Sequence, residues 1–87
     1  MNPYTENITN KESIVERLFE ESCTQEELMW HRDPEDRIVE SIDDTDWMIQ
    51  LDNELPISLN QSVRVPKETW HRLIKGTGNL KILVNLK

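Results

Sequence analysis

Apolar positions follow two different rules along this chain. Ile14, Val15, Leu18 and Phe19 recur at the interval of one helix face, and Thr9 and Glu12 precede them at capping-box spacing. That pattern predicts a short amphipathic helix over about residues 10–21, after an N-terminal tail at 1–9. The helix ends near Ser22-Cys23-Thr24, where Thr24 and Glu27 repeat the capping spacing for one further turn. Beyond residue 28 the helical interval is lost. Runs rich in β-branched and aromatic residues alternate with turn residues, predicting strands near 28–33, 37–42, 46–52, 56–59, 62–66, 69–75 and 79–86. The last is the cleanest, because Leu80, Ile82, Val84 and Leu86 alternate with Lys81, Leu83, Asn85 and Lys87. So many short strands predict a mainly β domain, a small sandwich, jelly roll or barrel over about 28–86, within a single domain covering 10–87.

One tripeptide occurs twice. Trp30-His31-Arg32 and Trp70-His71-Arg72 contain both histidines of the chain and two of its three tryptophans. Successive side chains of a strand face opposite sides, so each copy sends its histidine to one face and its Trp and Arg to the other. Two inward imidazoles from distant strands can then converge. Trp30 and Trp70, on the outside, are expected at a subunit interface, where Arg32 and Arg72 pair with acids of the helix. Met29 and Met48 are expected in the core.

Composition narrows the function classes. The net charge of −7 is unevenly spread: residues 1–56 carry 16 acids and 4 bases, net −12, and residues 57–87 carry 1 acid and 6 bases, net +5. Either strands of the two parts interleave and neutralise one another, or Lys67, Arg72 and Lys75 form a basic lip beside His71 for an anionic ligand. An acidic surface repels phosphates, which argues against nucleic acid as a partner. No basic region followed by an apolar run marks a secretion signal or membrane span, and one cysteine allows no disulfide framework, so a cytoplasmic protein with Cys23 as a packed thiol is expected. A domain of this size buries only roughly 60 to 65% of its unfolded surface, which makes a homodimer the expected state. The turn Asp43-Asp44-Thr45-Asp46 lacks the glycine and distal glutamate of a calcium loop and reads as a hairpin turn.

Val63-Arg64-Val65-Pro66-Lys67-Glu68-Thr69-Trp70-His71, with Gly76 following, resembles the second motif of the cupin superfamily, in which a strand ends at proline and the next strand presents an inward histidine to a metal. His31-Arg32-Asp33 and the following Arg37–Asp44 resemble a degraded first motif, where cupins carry His-x-His, a Glu and a Gly. The resemblance covers about residues 28–86 and extends to small cupin-like proteins of marine tailed phages. It implies an RmlC-like jelly roll and a divalent metal (Fe, Mn, Ni or Zn) held by His31, Asp33 and His71, a two-histidine, one-carboxylate set with open positions. Four positions depart from the pattern. Asp33 replaces the second histidine, Arg37 stands near the glutamate, and Asp44 and Glu68 replace glycines. Arg37 is the costly one: a guanidinium about 5 Å from a dication, at an effective dielectric near 20, is repelled by roughly 7 kcal/mol before compensation. Asp33, Asp36 or Glu40 can offset it, or Arg37 can point outward after a one-residue slip.

The same residues make sense without metal. Arg37, His31 and His71, with Asp33 orienting one of them, form a donor cluster for a carboxylate, phosphate or sugar acid, to which Lys75 contributes. Gln50 joins only if its strand turns that face inward; Trp47, Ile49 and Leu51 favour the opposite choice. A third reading is a metal-free structural or protein-interaction domain whose barrel interior is filled. No acid/base pair, phosphate loop or nucleophile elbow is legible, so catalytic residues are unassigned and any enzyme reading rests on the metal. The common expectation is a cupin-like protein that binds a small polar or anionic molecule.

Overall fold

The computed structural model describes residues 3–8 and 13–86. Among these, eight strands form two antiparallel sheets. β1 (Thr5–Ile8), β2 (Ile14–Phe19), β3 (Arg37–Ser41), β6 (Val63–Val65) and β8 (Leu80–Asn85) make a five-stranded sheet in the order β1-β2-β8-β3-β6. β4 (Met48–Leu51), β5 (Ile57–Ser58) and β7 (His71–Ile74) make the second, in the order β5-β4-β7. The mainly β architecture is the expected one.

The expected helix is absent: residues 14–19 form β2, and Thr9 and Glu12, its expected cap, lie outside the described residues. The reason lies in a spacing shared by both structures. Val15 and Phe19 are four apart, which puts them on one face of a helix and also on one face of a strand. In the strand both are buried, 6% and 5% exposed, and Arg17 between them shares their face. Six consecutive residues of β2 pair with β8 and the other edge pairs with β1. A ladder on each side satisfies the backbone as a helix would while burying Val15 and Phe19 against the second sheet, so tertiary pairing overrides a weak helical preference. The second capping pair forms as expected: Thr24 and Glu27 exchange reciprocal bonds around the 3₁₀ turn Gln25–Glu27, Glu27 N donating to Thr24 Oγ1 at 3.3 Å and Thr24 N to Glu27 Oε1 at 3.0 Å.

Strand alternation supplies the core. Leu80, Ile82 and Val84 of β8 are 1 to 3% exposed and meet Val39, Val63 and Val65 of β3 and β6 and Ile49 and Leu51 of β4. Trp47 is fully buried, 6.2 Å from the ring of Phe19, and its Nε1 donates to Gly78 O at 3.2 Å. Burying a large apolar side chain contributes about 1.5–3 kcal/mol, so this cluster dominates the stabilisation. Cys23 is buried with it, and burial pushes its thiol pKa up, as a packed thiol requires. The strand order also interleaves the two parts of the chain: β8, from the basic C-terminal part, runs between β2 and β3 of the acidic part, and Arg64 lies 3.5 Å from Asp36. No helix among the described residues is long and apolar enough to cross a membrane.

Two turns carry measurable constraints. Asp46 accepts from Thr77 N at 2.7 Å and Thr77 Oγ1 at 2.8 Å, and these donors hold its carboxyl below the usual range. This contact draws Gly76 so close that a Cβ there would lie 2.7 Å from Trp47 N and 2.8 Å from Trp47 Cδ1, besides colliding with the Asp46 carboxylate. Glu68, in the turn before β7, has φ +60°, the left-handed region that favours glycine. Gly76→Ala is therefore expected to lower the unfolding free energy by about 2 kcal/mol, read as a lower urea midpoint. Glu68→Gly should leave stability unchanged or raise it by up to about 1 kcal/mol in the same assay, because the relieved strain is partly offset by greater freedom of the unfolded chain.

Candidate metal and ligand site

The site begins with one pair of backbone hydrogen bonds. Residues 28–33, expected as a strand, meet β7 at a single antiparallel bridge: His31 N donates to His71 O at 3.0 Å and His71 N to His31 O at 2.8 Å. Pro34, which has no N–H to donate, follows two residues after Arg32, and Asp33 O instead accepts from Glu68 N at 2.7 Å. Directly opposed residues of an antiparallel pair project to the same face, so the two imidazoles lie side by side, ring centroids 4.2 Å apart. Antiparallel direction then sets Trp30 opposite Arg72 and Arg32 opposite Trp70 on the outer face. The Arg72 guanidinium carbon lies 4.8 Å from the Trp30 ring centre and that of Arg32 5.2 Å from the Trp70 ring centre. Each crossed cation–π pair is worth about 0.5–1 kcal/mol. The repeated tripeptide thus pairs with itself inside one chain.

Asp33 and Arg37 complete the inner face. Asp33 Oδ2 lies 3.3 Å from His71 Nε2, 3.9 Å from His31 Nε2 and 3.6 Å from Arg37 Nε. Donor atoms of His31, Asp33 and His71 all fall within 4.8 Å of one another. Arg37 points inward from β3 beside Val39, its side chain 14% exposed, with a terminal nitrogen 3.5 Å from Glu35 Oε1. Asp33 and Glu35 are thus its counter-charges, while Asp36 faces Arg64 and Lys67 N, and Glu40 faces Ser62.

Proton placement gives this cluster its chemistry. His71 Nδ1 lies 2.8 Å from Thr69 O and His31 Nδ1 3.2 Å from Met29 O. A carbonyl only accepts, so in the neutral ring each Nδ1 carries the proton and each Nε2 presents a lone pair, an assignment from hydrogen bonding. Burial is the largest influence on His71 and holds its pKa below the ordinary histidine value, with His31 and Arg37 acting the same way; the Thr69 carbonyl and Asp33 act against them. Two nitrogen lone pairs and a carboxylate oxygen therefore face one another. Asp33 Oδ2 and Arg37 Nε are buried with no hydrogen-bond partner among the described residues. Such a trio of acceptors lacks an electrophile. Fixing the remote ring nitrogen on a carbonyl is also the usual way a metal-ligating histidine is oriented.

The cluster opens into a cavity of about 380 Å³ between the sheets. Its apolar walls include Val39, Val65, Ile82 and Val84 from the larger sheet and Ile49 and Leu73 from the smaller. The interior is thus not filled by side chains. Gln50 and Lys75 do not line this cavity. Ile49 and Leu51 take the inward positions of β4, and Gln50, facing the other way, accepts from Arg72 Nε at 3.1 Å and donates to Glu54 O. Lys75 donates its ammonium to the carbonyls of Glu21 and Cys23, closing that turn. Met29 is 71% exposed, outside the core, because its neighbour Leu28 takes the buried position. Arg32 has no helical acid to pair with; besides Trp70 it has Glu68 Oε1 at 3.8 Å. Arg17 lines the cavity and was not singled out by the sequence pattern; Glu27, singled out only as a capping residue, lines it too. Arg17 stacks on Tyr4 at 4.5 Å and bonds Glu6 at 2.7 Å. Alternation of Val15, Arg17 and Phe19 was the available signal, hidden by the helical reading.

No protein-family model and no curated protein matches the sequence. Solved structures match the fold. Hydroxypropylphosphonic acid epoxidase from S. wedmorenis aligns over 99% of this chain and 51% of its own with TM-score 0.69 and 15% identity. The DMSP lyases RdDddP and RnDddQII give 0.66 and 15% over 82% of this chain and 35% of theirs. A cupin-2 domain containing protein from Shewanella frigidimarina NCIMB 400 gives 0.62 and 14% over 92% and 76%. The chain therefore spans about a third of the lyase chain and half of the epoxidase. Its fold is a cupin-like jelly roll.

The lowered His71 pKa sets a pH dependence. In the window between the folded and unfolded values the folded state binds fewer protons, so acidification through the ordinary histidine range near pH 6.5 favours unfolding. Urea midpoints of the metal-free protein should fall between pH 7 and pH 5, and His71→Gln should show a smaller fall than the wild type. Identical pH profiles would show that His71 does not titrate as described.

Proposed function

We propose that this chain is a cupin-like small-molecule-binding protein in which His31, Asp33 and His71 hold a divalent metal (Fe, Mn, Ni or Zn) at the polar wall of the cavity. The observation that carries this reading is the facing of three acceptor atoms, His31 Nε2, His71 Nε2 and Asp33 Oδ2, with no hydrogen-bond partner for the carboxylate oxygen. A cation resolves that arrangement. Metal–nitrogen and metal–oxygen bonds of about 2.1 Å place neighbouring donors about 3 Å apart; the His71–Asp33 pair, at 3.3 Å, is near this value. His31, 3.9 Å from Asp33 and with half its side chain exposed, has room to approach. A further neighbour in fold is a crystal structure of FeII HppE in complex with substrate, similar at TM-score 0.64 and 16% identity over 94% of this chain and 52% of its own, which supports metal on this scaffold.

When bound, the metal supplies a Lewis-acid anchor for an oxygen or nitrogen of the ligand. The chain's residues do the remainder. The Thr69 and Met29 carbonyls fix the rings, the two sheets supply the apolar wall, and Arg37 gives the polar wall a fixed positive charge.

Protein purified without a histidine tag should contain one divalent metal per chain by elemental analysis, or take one up when Fe(II), Mn, Ni or Zn is added. His31→Ala and His71→Ala should each lose at least tenfold in metal affinity. Wild-type protein that refuses all four metals would refute the proposal.

A further inference from the structure

A metal alone leaves Arg37 unexplained. Its guanidinium lies on the cavity wall, 14% exposed, with Nε lacking a hydrogen-bond partner and its nearest carboxylate oxygens no closer than 3.5 Å. Asp33 Oδ2 is the nearest counter-charge on the metal side, yet it belongs to the donor set, so a metal there draws that charge away from Arg37. A cation facing a dication in a partly buried site is repulsive, and an anion between them removes the repulsion. A guanidinium also offers a planar fork suited to a carboxylate, and three protein donors leave metal positions open to one.

The rest of the cavity describes the remainder of that anion. Val39, Val65, Ile82, Val84, Ile49 and Leu73 line it from both sheets, and its volume of about 380 Å³ holds a short chain. The other lining cation, Arg17, is already neutralised by Glu6 at 2.7 Å. Among the cations lining this cavity, Arg37 is therefore the one whose sole carboxylate partner outside the metal's donor set is the half-exposed Glu35, at 3.5 Å.

We propose that the site takes a small monocarboxylate with a short apolar tail as a co-ligand of the metal. The carboxylate lies between Arg37 and the metal, and the tail lies against the valine, isoleucine and leucine wall. This rests on the metal-site reading above and adds a thermodynamic property to it: metal and carboxylate bind cooperatively, each raising the affinity for the other by the same factor. Burial of the tail adds up to about fourfold per methylene.

The test is a Co²⁺ titration of the full chain, followed by visible absorption, with no carboxylate, with acetate, or with hexanoate at equal concentration and ionic strength. Hexanoate should tighten Co²⁺ binding tenfold or more, and acetate less than threefold. Arg37→Gln should bind Co²⁺ more tightly than the wild type without carboxylate, and hexanoate should then change its affinity less than twofold. Co²⁺ binding that is indifferent to hexanoate overturns the co-ligand and leaves the metal site standing. Equal effects of acetate and hexanoate overturn the apolar tail, and a full hexanoate effect in Arg37→Gln overturns the role of Arg37. No Co²⁺ binding under any condition overturns both proposals. Should Arg37→Gln fail to fold, the wild-type comparison of acetate with hexanoate decides.

Discussion

The reciprocal backbone bonds between His31 and His71 organise everything on the inner wall. They join the segment 28–33 to the free edge of β7, and they do so at one residue pair. Because that pair is hydrogen-bonded in both directions, its side chains must share a face, and their neighbours must share the other. Two consequences follow without further assumption. The imidazoles are brought to 4.2 Å, and the flanking Trp and Arg residues become crossed partners outside. A two-residue register shift would leave the histidines on one face but no longer opposed. The crossed stacking therefore acts as a lock on register as well as a modest source of stability, with Glu68 N on Asp33 O as a second fixed point.

Charge segregation along the sequence finds its explanation in topology. The basic C-terminal third supplies β6, β7 and β8, and β8 is inserted between strands of the acidic part, so charges far apart in sequence become neighbours. The Lys75 ammonium is consumed by carbonyls at the 21–23 turn and Arg72 by Trp30 and Gln50. Two of the three residues that the sequence suggests as a basic lip, Arg72 and Lys75, are thus taken up in structural contacts, and the positive charge at the inner polar wall comes from Arg37 on an acidic segment.

The fold was largely legible because strands after residue 36 obey an alternation that few other structures satisfy: Leu80, Ile82 and Val84 could all be buried together only in an extended chain. Alternation pointed His31 and His71 to one face, while Asp33 and Arg37 came in through the resemblance to a motif, which left the direction of Arg37 open to a one-residue slip. The N-terminal segment was not legible, for a specific reason. Ile14, Val15, Leu18 and Phe19 satisfy the helical interval, and only β1 and β8, far away in sequence or outside the window that pattern reading uses, decide for a strand. Arg17 was lost with it. The partners of Trp30 and Trp70 were equally out of reach, because the crossed pairing depends on a register that no local pattern encodes.

Two departures from the cupin pattern illustrate how differently substitutions act on a fold. Glu68, in place of a glycine, holds a left-handed backbone conformation, a strain confined to one residue and unrelated to what the cavity contains. Arg37, near a glutamate position, leaves backbone geometry untouched and reverses the charge facing the three donors. A glutamate there would add a fourth donor and make the site self-sufficient for a cation. An arginine changes the balance: Asp33 is shared between the three donors and the guanidinium, whose other carboxylate partner is Glu35 at 3.5 Å, and neither Asp33 Oδ2 nor Arg37 Nε has a hydrogen-bond partner among the described residues. Burying such a group is costly unless something completes it. On the reading proposed above, a cation at the three donors and an anion beside Arg37 would complete the arrangement together, so its chemistry follows from Arg37 as much as from the histidines.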